Sequence, residues 1–232
     1  MGMKAATGEE VALRGGRTTP GIVRVGDTVR RPRQANHRFV RHLLEHLAAS
    51  GFDGVPRHLG QDEAGREIFS FIEGDVPDEL GFISDDALHD AATLIRRFHD
   101  LGADLAAASQ VGAEVICHND LSPCNFVFRA EIPVAMIDFD ATAPGTRAWD
   151  LGYAAWLWLD LGSTDVAPAA QRRRLDLFAD AYGDIATPTI LGATMERQET
   201  LAMEARRQGK RDMADWAMHC LHWTRRHAVD LE

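Results

Sequence analysis

Lysine is almost missing from this chain. Lys4 and Lys210 are the only two in 232 residues, and arginine supplies every other base. A task usually given to a lysine ammonium inside the fold must therefore fall to a guanidinium. That planar, five-donor fork is no neutral substitute. Cysteine is also scarce: Cys117, Cys124 and Cys220 are odd in number and scattered. That excludes a disulfide framework and fits a reducing compartment. No apolar run approaches the length of a membrane-spanning helix. The first residues, MGMKAATGEEVALRGG, lack the apolar core of a signal peptide. Ala6 stands where a myristoylation motif needs Ser or Thr. A cytoplasmic protein is the expectation. Positive charge is short as well. With 35 acids against 25 bases the net charge is −10, which argues against nucleic acid or an acidic membrane as partner. A cationic small molecule stays compatible. Nothing in the sequence speaks to oligomeric state.

What is present is enough apolar content, 45%, to bury a core, arranged as one large domain or two small lobes. The chain is organised around Val115 to Asp140, VICHNDLSPCNFVFRAEIPVAMIDFD. Two apolar runs, 115–117 and 133–137, each end in polar residues, and 126–128 reads as the hairpin partner of the second. Strands carry such runs to the edge of a core and leave the following polar residues at its rim. Asp120, Asn125 and Asp138 stand there, with His118 two residues before the first.

Upstream, residues 11–14, 22–25 and 28–31 read as short strands. The Gly-rich turn GGRTTPG separates the first two and Gly26-Asp27 the second pair. The first turn can be a plain hairpin loop, or one whose amides approach a phosphate. Apolar residues at 39, 40, 43, 44 and 47 predict a helix over 36–50, stopped by Gly51. Residues 57–60 and 66–72 predict two more strands. Glu73 to Pro77 breaks the pattern and divides residues 1–73 from 74–232. A helix capped by Ser84 should run to about 107. Helices are also expected over 149–161, 168–182, 188–208 and 211–229.

Phosphoryl transfer asks a protein to hold a hydroxyl in line, take its proton and neutralise phosphate oxygens. The spacing His118-x-Asp120-x4-Asn125, a hairpin, then Asp138 supplies those parts. Asp120 would take the proton, and Asn125 and Asp138 would offer a Mg²⁺ ion the oxygen ligands a hard cation prefers. Asp140 is either a further carboxylate on the metal side or a solvated turn residue. The cysteines and histidine of this stretch lack paired zinc spacing. The tryptophans read mainly as core. Glu199, Glu204, Asp212 and Asp215 lie on helices where acceptor-binding acids would be expected, although any single one reads more readily as a solvated helix face.

At these residues the sequence resembles the aminoglycoside phosphotransferases and the related choline and small-alcohol kinases. HNDLSPCN resembles their catalytic loop, IDFD their metal-binding segment, and RAWDLGYAAW, with Asp150, the helix start that braces the loop. The resemblance implies an α+β, bilobal protein-kinase-like fold. Its N-lobe is a small antiparallel sheet with one helix, and its C-lobe is mostly helical. It implies ATP or GTP with Mg²⁺, and a small-molecule hydroxyl acceptor that includes aminoglycosides and amino alcohols. It implies that Gly15 and Gly16 cover the phosphates and that Ser70, Phe71 and Ile72 form the hinge at the base. His118 would belong to the catalytic set, either in the chemistry itself or, as is commoner in the family, orienting the loop by hydrogen bonds. The phosphate-pairing base would be Arg30, in preference to Arg31, where relatives commonly carry lysine. The helix glutamate that usually pairs with this base is replaced by His42, with Glu45 a turn further on. Those two departures motivate an alternative reading, a catalytically weak nucleotide-binding regulator.

Overall fold

The computed structural model describes residues 9–13 and 20–231. Its first part is a sheet in which every strand runs antiparallel to its neighbours. The strands are β1 (Val11–Ala12), β2 (Val23–Val25) and β3 (Thr28–Arg31), then, after helix α1 (His37–Ala49), β4 (His58–Gln61) and β5 (Glu67–Ser70). Their order across the sheet is β1-β2-β3-β5-β4. Gly26 turns β2 into β3 with φ +57°, a conformation that costs glycine little. Gly15 and Gly16 lie outside the described residues. Helix α1 buries Val40, Leu43, Leu44 and Leu47, the stripe its periodicity predicts.

The remainder is mostly helical. It opens with α2 (Asp85–Ser109), where the Ser84 hydroxyl accepts the Ala87 N–H. Strand β6 (Val115–Cys117), the hairpin β7 (Phe126–Arg129) and β8 (Ile132–Met136), and β9 (Ala143–Gly145) follow. Helices α3 (Arg147–Trp158), α4 (Pro168–Tyr182), α5 (Thr187–Arg207), α6 (Arg211–Arg226) and α7 (Ala228–Leu231) complete it. One apolar core runs from Leu43 and Leu47 of α1 through Phe98, Phe126 and Trp158 to Leu231. Helices α3 and α5 approach closely because Gly152 has no side chain. A Cβ there would sit 2.5 Å from the Ala193 carbonyl carbon.

Two features position the site. Strand β6 pairs antiparallel with β9, Cys117 opposite Ala143 and Val115 opposite Gly145, so the chain leaves β9 beside Val115 and the first turn of α3 brings Asp150 back to the residues that follow Cys117. The segment that breaks the pattern near residue 75 is pinned: Asp75 and Phe128 exchange N–H···O bonds of 2.9 and 2.7 Å. Gly74 fits here because a Cβ would meet the Phe128 carbonyl oxygen at 2.4 Å.

Candidate active site

The loop after β6 is held by a carboxylate that never meets water. Asp150, in the first turn of α3, is fully buried. Its Oδ2 accepts the His118 N–H at 2.7 Å and its Oδ1 the Asn119 N–H at 2.8 Å. His99 of α2 lies 3.0 Å from Oδ2 through Nε2 and 2.9 Å from the Tyr182 hydroxyl through Nδ1. Burial alone would push the Asp150 carboxyl up. The His99 hydrogen bond, the nearby imidazoles and the His118 N–H outweigh it and hold the carboxyl below its ordinary value. The α3 aspartate is thus a loop brace.

His118 is buried and works from both sides of its ring. Nδ1 accepts the Asp120 N–H at 3.3 Å, so Nε2 carries the proton given to the Ile137 carbonyl at 2.9 Å. Ile137 N–H in turn donates to the Asn125 carbonyl at 2.9 Å. These bonds tie the loop to the segment that ends in Asp138. Asn119 adopts φ +67° and Asp138 φ +65°, left-handed conformations that short polar side chains tolerate best. Every polar group of Asn119 is engaged: Nδ2 donates to the Ala141 carbonyl, Oδ1 accepts the Trp149 indole N–H, and its carbonyl accepts Arg197 Nη2 at 2.7 Å.

Around this loop the side chains of Asp120, Cys124, Asn125, Asp138, Asp140, Trp149, Tyr153 and Arg197 are half-buried. Asn125 donates Nδ2–H to the Asp120 carbonyl at 2.9 Å, which turns its Oδ1 away with no donor on it among the described residues. Asp138 accepts from Arg31 through Oδ1 alone, at 3.3 Å. One oxygen on each residue is therefore open, a hard donor pair that fits Mg²⁺. Among the described residues no group of three or more His, Cys, Asp or Glu gathers to hold a metal. Burial pushes the Cys117 thiol well above its ordinary range, as suits a small apolar filler.

Arg31, rather than Arg30, reaches the site. Alternation along β3 sends Arg30 to the far side, 3% exposed and 4.0 Å from Asp62, while Arg31 bonds Asp138 and Asp140. The preference for Arg30 is thereby reversed. Asp140 is not a solvated turn residue: it is half-buried in a salt bridge with Arg31 and receives Asn36 Nδ2 on its carbonyl at 2.7 Å. Burial pushes its carboxyl up, the Arg31 charge opposes this, and Asp138 adds to it. Glu45 is turned away to Arg41 at 3.1 Å, and the carboxylates that Arg31 meets are those of Asp138 and Asp140. In the segment expected to form the hinge, Ser70 and Phe71 N–H groups bond Arg57 and Asp27 carbonyls, and Arg24 lies 3.7 Å over the Phe71 ring. Ile72 makes no backbone hydrogen bond among the described residues. Asn119 and Tyr153 fall inside segments that carry the resemblance but were given no role there, and His99 and Arg197 carried no signal in the sequence. They lie far from the loop motif or in positions where polar residues are commonplace.

The model of the phosphotransferase enzyme family matches residues 102–188, the span that carries the loop, the hairpin and α3. The trifolitoxin immunity protein of Rhizobium leguminosarum bv. trifolii is 33% identical over 197 residues, covering 75% of this chain and 74% of that protein. Among solved structures, the GDP complex of aminoglycoside 2'-phosphotransferase-IIIa superposes with a TM-score of 0.58 at 14% identity, over 96% of this chain and 93% of the other. Choline kinase from Cryptosporidium parvum Iowa II gives 0.63 at 11% identity, over 96% and 89%. The helices of the second half lie where a bilobal, protein-kinase-like fold has them.

Proposed function

Because the chain belongs to the phosphotransferase enzyme family of protein-kinase-like small-molecule kinases, we propose that it moves the γ-phosphoryl group of ATP or GTP to a hydroxyl of a small molecule. Residues 1–73 would clamp the nucleotide, and 74–232 would supply the catalytic loop and acceptor pocket. The observation that carries this reading is that Arg31 meets Asp138, while Asn125, bonded to the Asp120 carbonyl through its side chain, takes the Ile137 N–H beside Asp138 on its own carbonyl.

Asp120 takes the proton of the acceptor hydroxyl as its oxygen bonds to phosphorus and the bond to the nucleoside diphosphate breaks. Its backbone is fixed by His118 on one side and by Asn125 on the other, so the carboxylate is aimed before substrate arrives. Asn125 Oδ1 and Asp138 would hold Mg²⁺, which neutralises phosphate oxygens when bound. Arg31 meets the phosphates once it exchanges its bond to Asp140 for them. The hinge offers Ile72 N–H to the base. An intact loop with all these groups in place favours an enzyme over a nucleotide-binding regulator.

Binding to the native state must stabilise it, by about 2.7 kcal/mol at a hundredfold excess over Kd. A thermal melt with Mg²⁺ and millimolar ATP should therefore shift upward, and an unmoved melt would count against any nucleotide role. Asp138→Ala should lose most of the Mg²⁺-dependent part of that shift, read by repeating the melt with and without chelator. Arg31→Ala should weaken nucleotide binding by about 10- to 150-fold, the worth of a charge-assisted hydrogen bond. Arg30→Ala should leave affinity unchanged and lower the melting temperature instead. Calorimetric titration of both variants separates the two arginines.

A further inference from the structure

Arg197 has an unusual position for a charged residue beside a transfer site. It projects from α5, and its guanidinium lies 4.4 Å from the ring centre of Trp149 and 4.5 Å from that of Tyr153. One of its donors serves the carbonyl of Asn119, the residue before Asp120. No carboxylate among the described residues lies within ion-pair distance of it. Burial draws its pKa down, against the pull of Asp150, Tyr153, Cys117 and Asp120. A guanidinium carries five N–H donors, so most of the fork is unspent. Withdrawing a charge from water without a counter-ion costs stability, and the two aromatic faces recover part of that cost.

The acids of the neighbouring helices do not offset this charge. Glu196, Glu204, Asp212 and Asp215 are exposed, and Glu199 is engaged by Arg225 of α6 at 3.0 Å. Arg197 thus sets a cation beside Asp120 on the α3–α5 side, and Asp150, the buried anion that pulls on it most, is already committed to the His118 and Asn119 N–H groups. An amine-bearing acceptor entering there would meet repulsion from Arg197. An oxyanion would meet a fork already set against two aromatic rings and tied to the Asn119 carbonyl, its position fixed in advance.

We propose that Arg197 receives an oxyanion of the acceptor, a carboxylate or phosphate on the molecule that carries the reacting hydroxyl. The acceptor class is then an anionic hydroxy compound rather than a polyamine. This rests on the phosphotransfer reading above and narrows it. The hydroxyl proton passes to Asp120, the new O–P bond forms at γ-phosphorus, and the nucleoside diphosphate leaves. The oxyanion stays on Arg197 unchanged.

Four probes of one size separate the possibilities: glycerate, glycerol 3-phosphate, glycerol and 2-amino-1,3-propanediol. Each is titrated into the full chain with Mg²⁺ and a non-hydrolysable ATP analogue. Glycerate or glycerol 3-phosphate, or both, should bind about tenfold or more tighter than glycerol, and the amine no tighter than glycerol. Whichever anion wins identifies the source of the oxyanion. Arg197→Gln should erase the difference, and Arg197→Lys, which keeps the charge without the fork, should keep part of it. The Mg²⁺–nucleotide melt shift should persist in both variants and reports that they are folded. Equal binding of all four probes, tighter binding of the amine, or an anion preference that survives Arg197→Gln would each overturn the assignment. Those outcomes leave the nucleotide shift intact, whereas its absence in the unaltered chain would remove the phosphotransfer reading itself.

Discussion

Replacing Asp120 with alanine should lower the turnover of phosphoryl transfer by about 100- to 10,000-fold, the usual worth of a positioned general base. Nucleotide binding should change little. The division follows from the geometry. Asp120 contributes its backbone to the loop, with its N–H on His118 Nδ1 and its carbonyl on Asn125 Nδ2, and alanine preserves both bonds. What is lost is the half-buried carboxylate beside Tyr153. The proximity of that carboxylate and burial together push the Tyr153 phenol above its ordinary range. Tyr153 therefore stays neutral and cannot replace the base. Turnover measured beside a nucleotide titration on the same sample checks both halves, and a variant that retains turnover would remove Asp120 from the role.

Asp150→Ala should be the most destabilising single change at the site, by about 3–5 kcal/mol. It would strand the His118 and Asn119 N–H groups and one nitrogen of His99 in a site without water. At roughly 2–4 °C per kcal/mol for a chain of this size, the melting temperature should fall by about 6–20 °C. The pH dependence has a definite sign. The folded carboxyl titrates below its unfolded value. Its contribution is present above the unfolded pKa near 4 and fades as pH falls through the folded pKa. Acid unfolding of the unaltered chain should thus be steeper below pH 4 than that of Asp150→Asn. Parallel acid melts of the two proteins measure this, and identical curves would deny Asp150 its ionised, bracing role.

Much of the architecture was legible because hydrophobic period and terminal chemistry agreed. The α1 stripe, the Ser84 cap and the helices of the second half fall where the pattern places them. Strand β9 was not legible: Ala-Pro-Gly contains two residues that count against a strand. It forms because the fully buried β6 must find partners for its backbone. The β7–β8 hairpin was legible from its two apolar runs although its turn carries no signal of its own, since Ala130 and Glu131 both take positive φ where Gly or Asn is usual. The choice between Arg30 and Arg31 needed a face, and a slip of one residue along a strand exchanges faces. Asp120, Asn125 and Asp138 share one local motif and could be named together. Arg197 and His99 join them only through packing of α5 and α2, which no spacing within the motif encodes.

The most direct test follows the phosphorus atom. In ³¹P NMR with Mg²⁺ and ATP, the unaltered chain and an accepted hydroxy compound should convert the γ-phosphorus resonance into a phosphomonoester while ADP accumulates. Asp120→Ala should broaden the nucleotide resonances by binding yet form no ester at a comparable rate. Nucleotide resonances untouched by the unaltered protein at millimolar concentration, or ester formed equally fast by Asp120→Ala, would contradict the account.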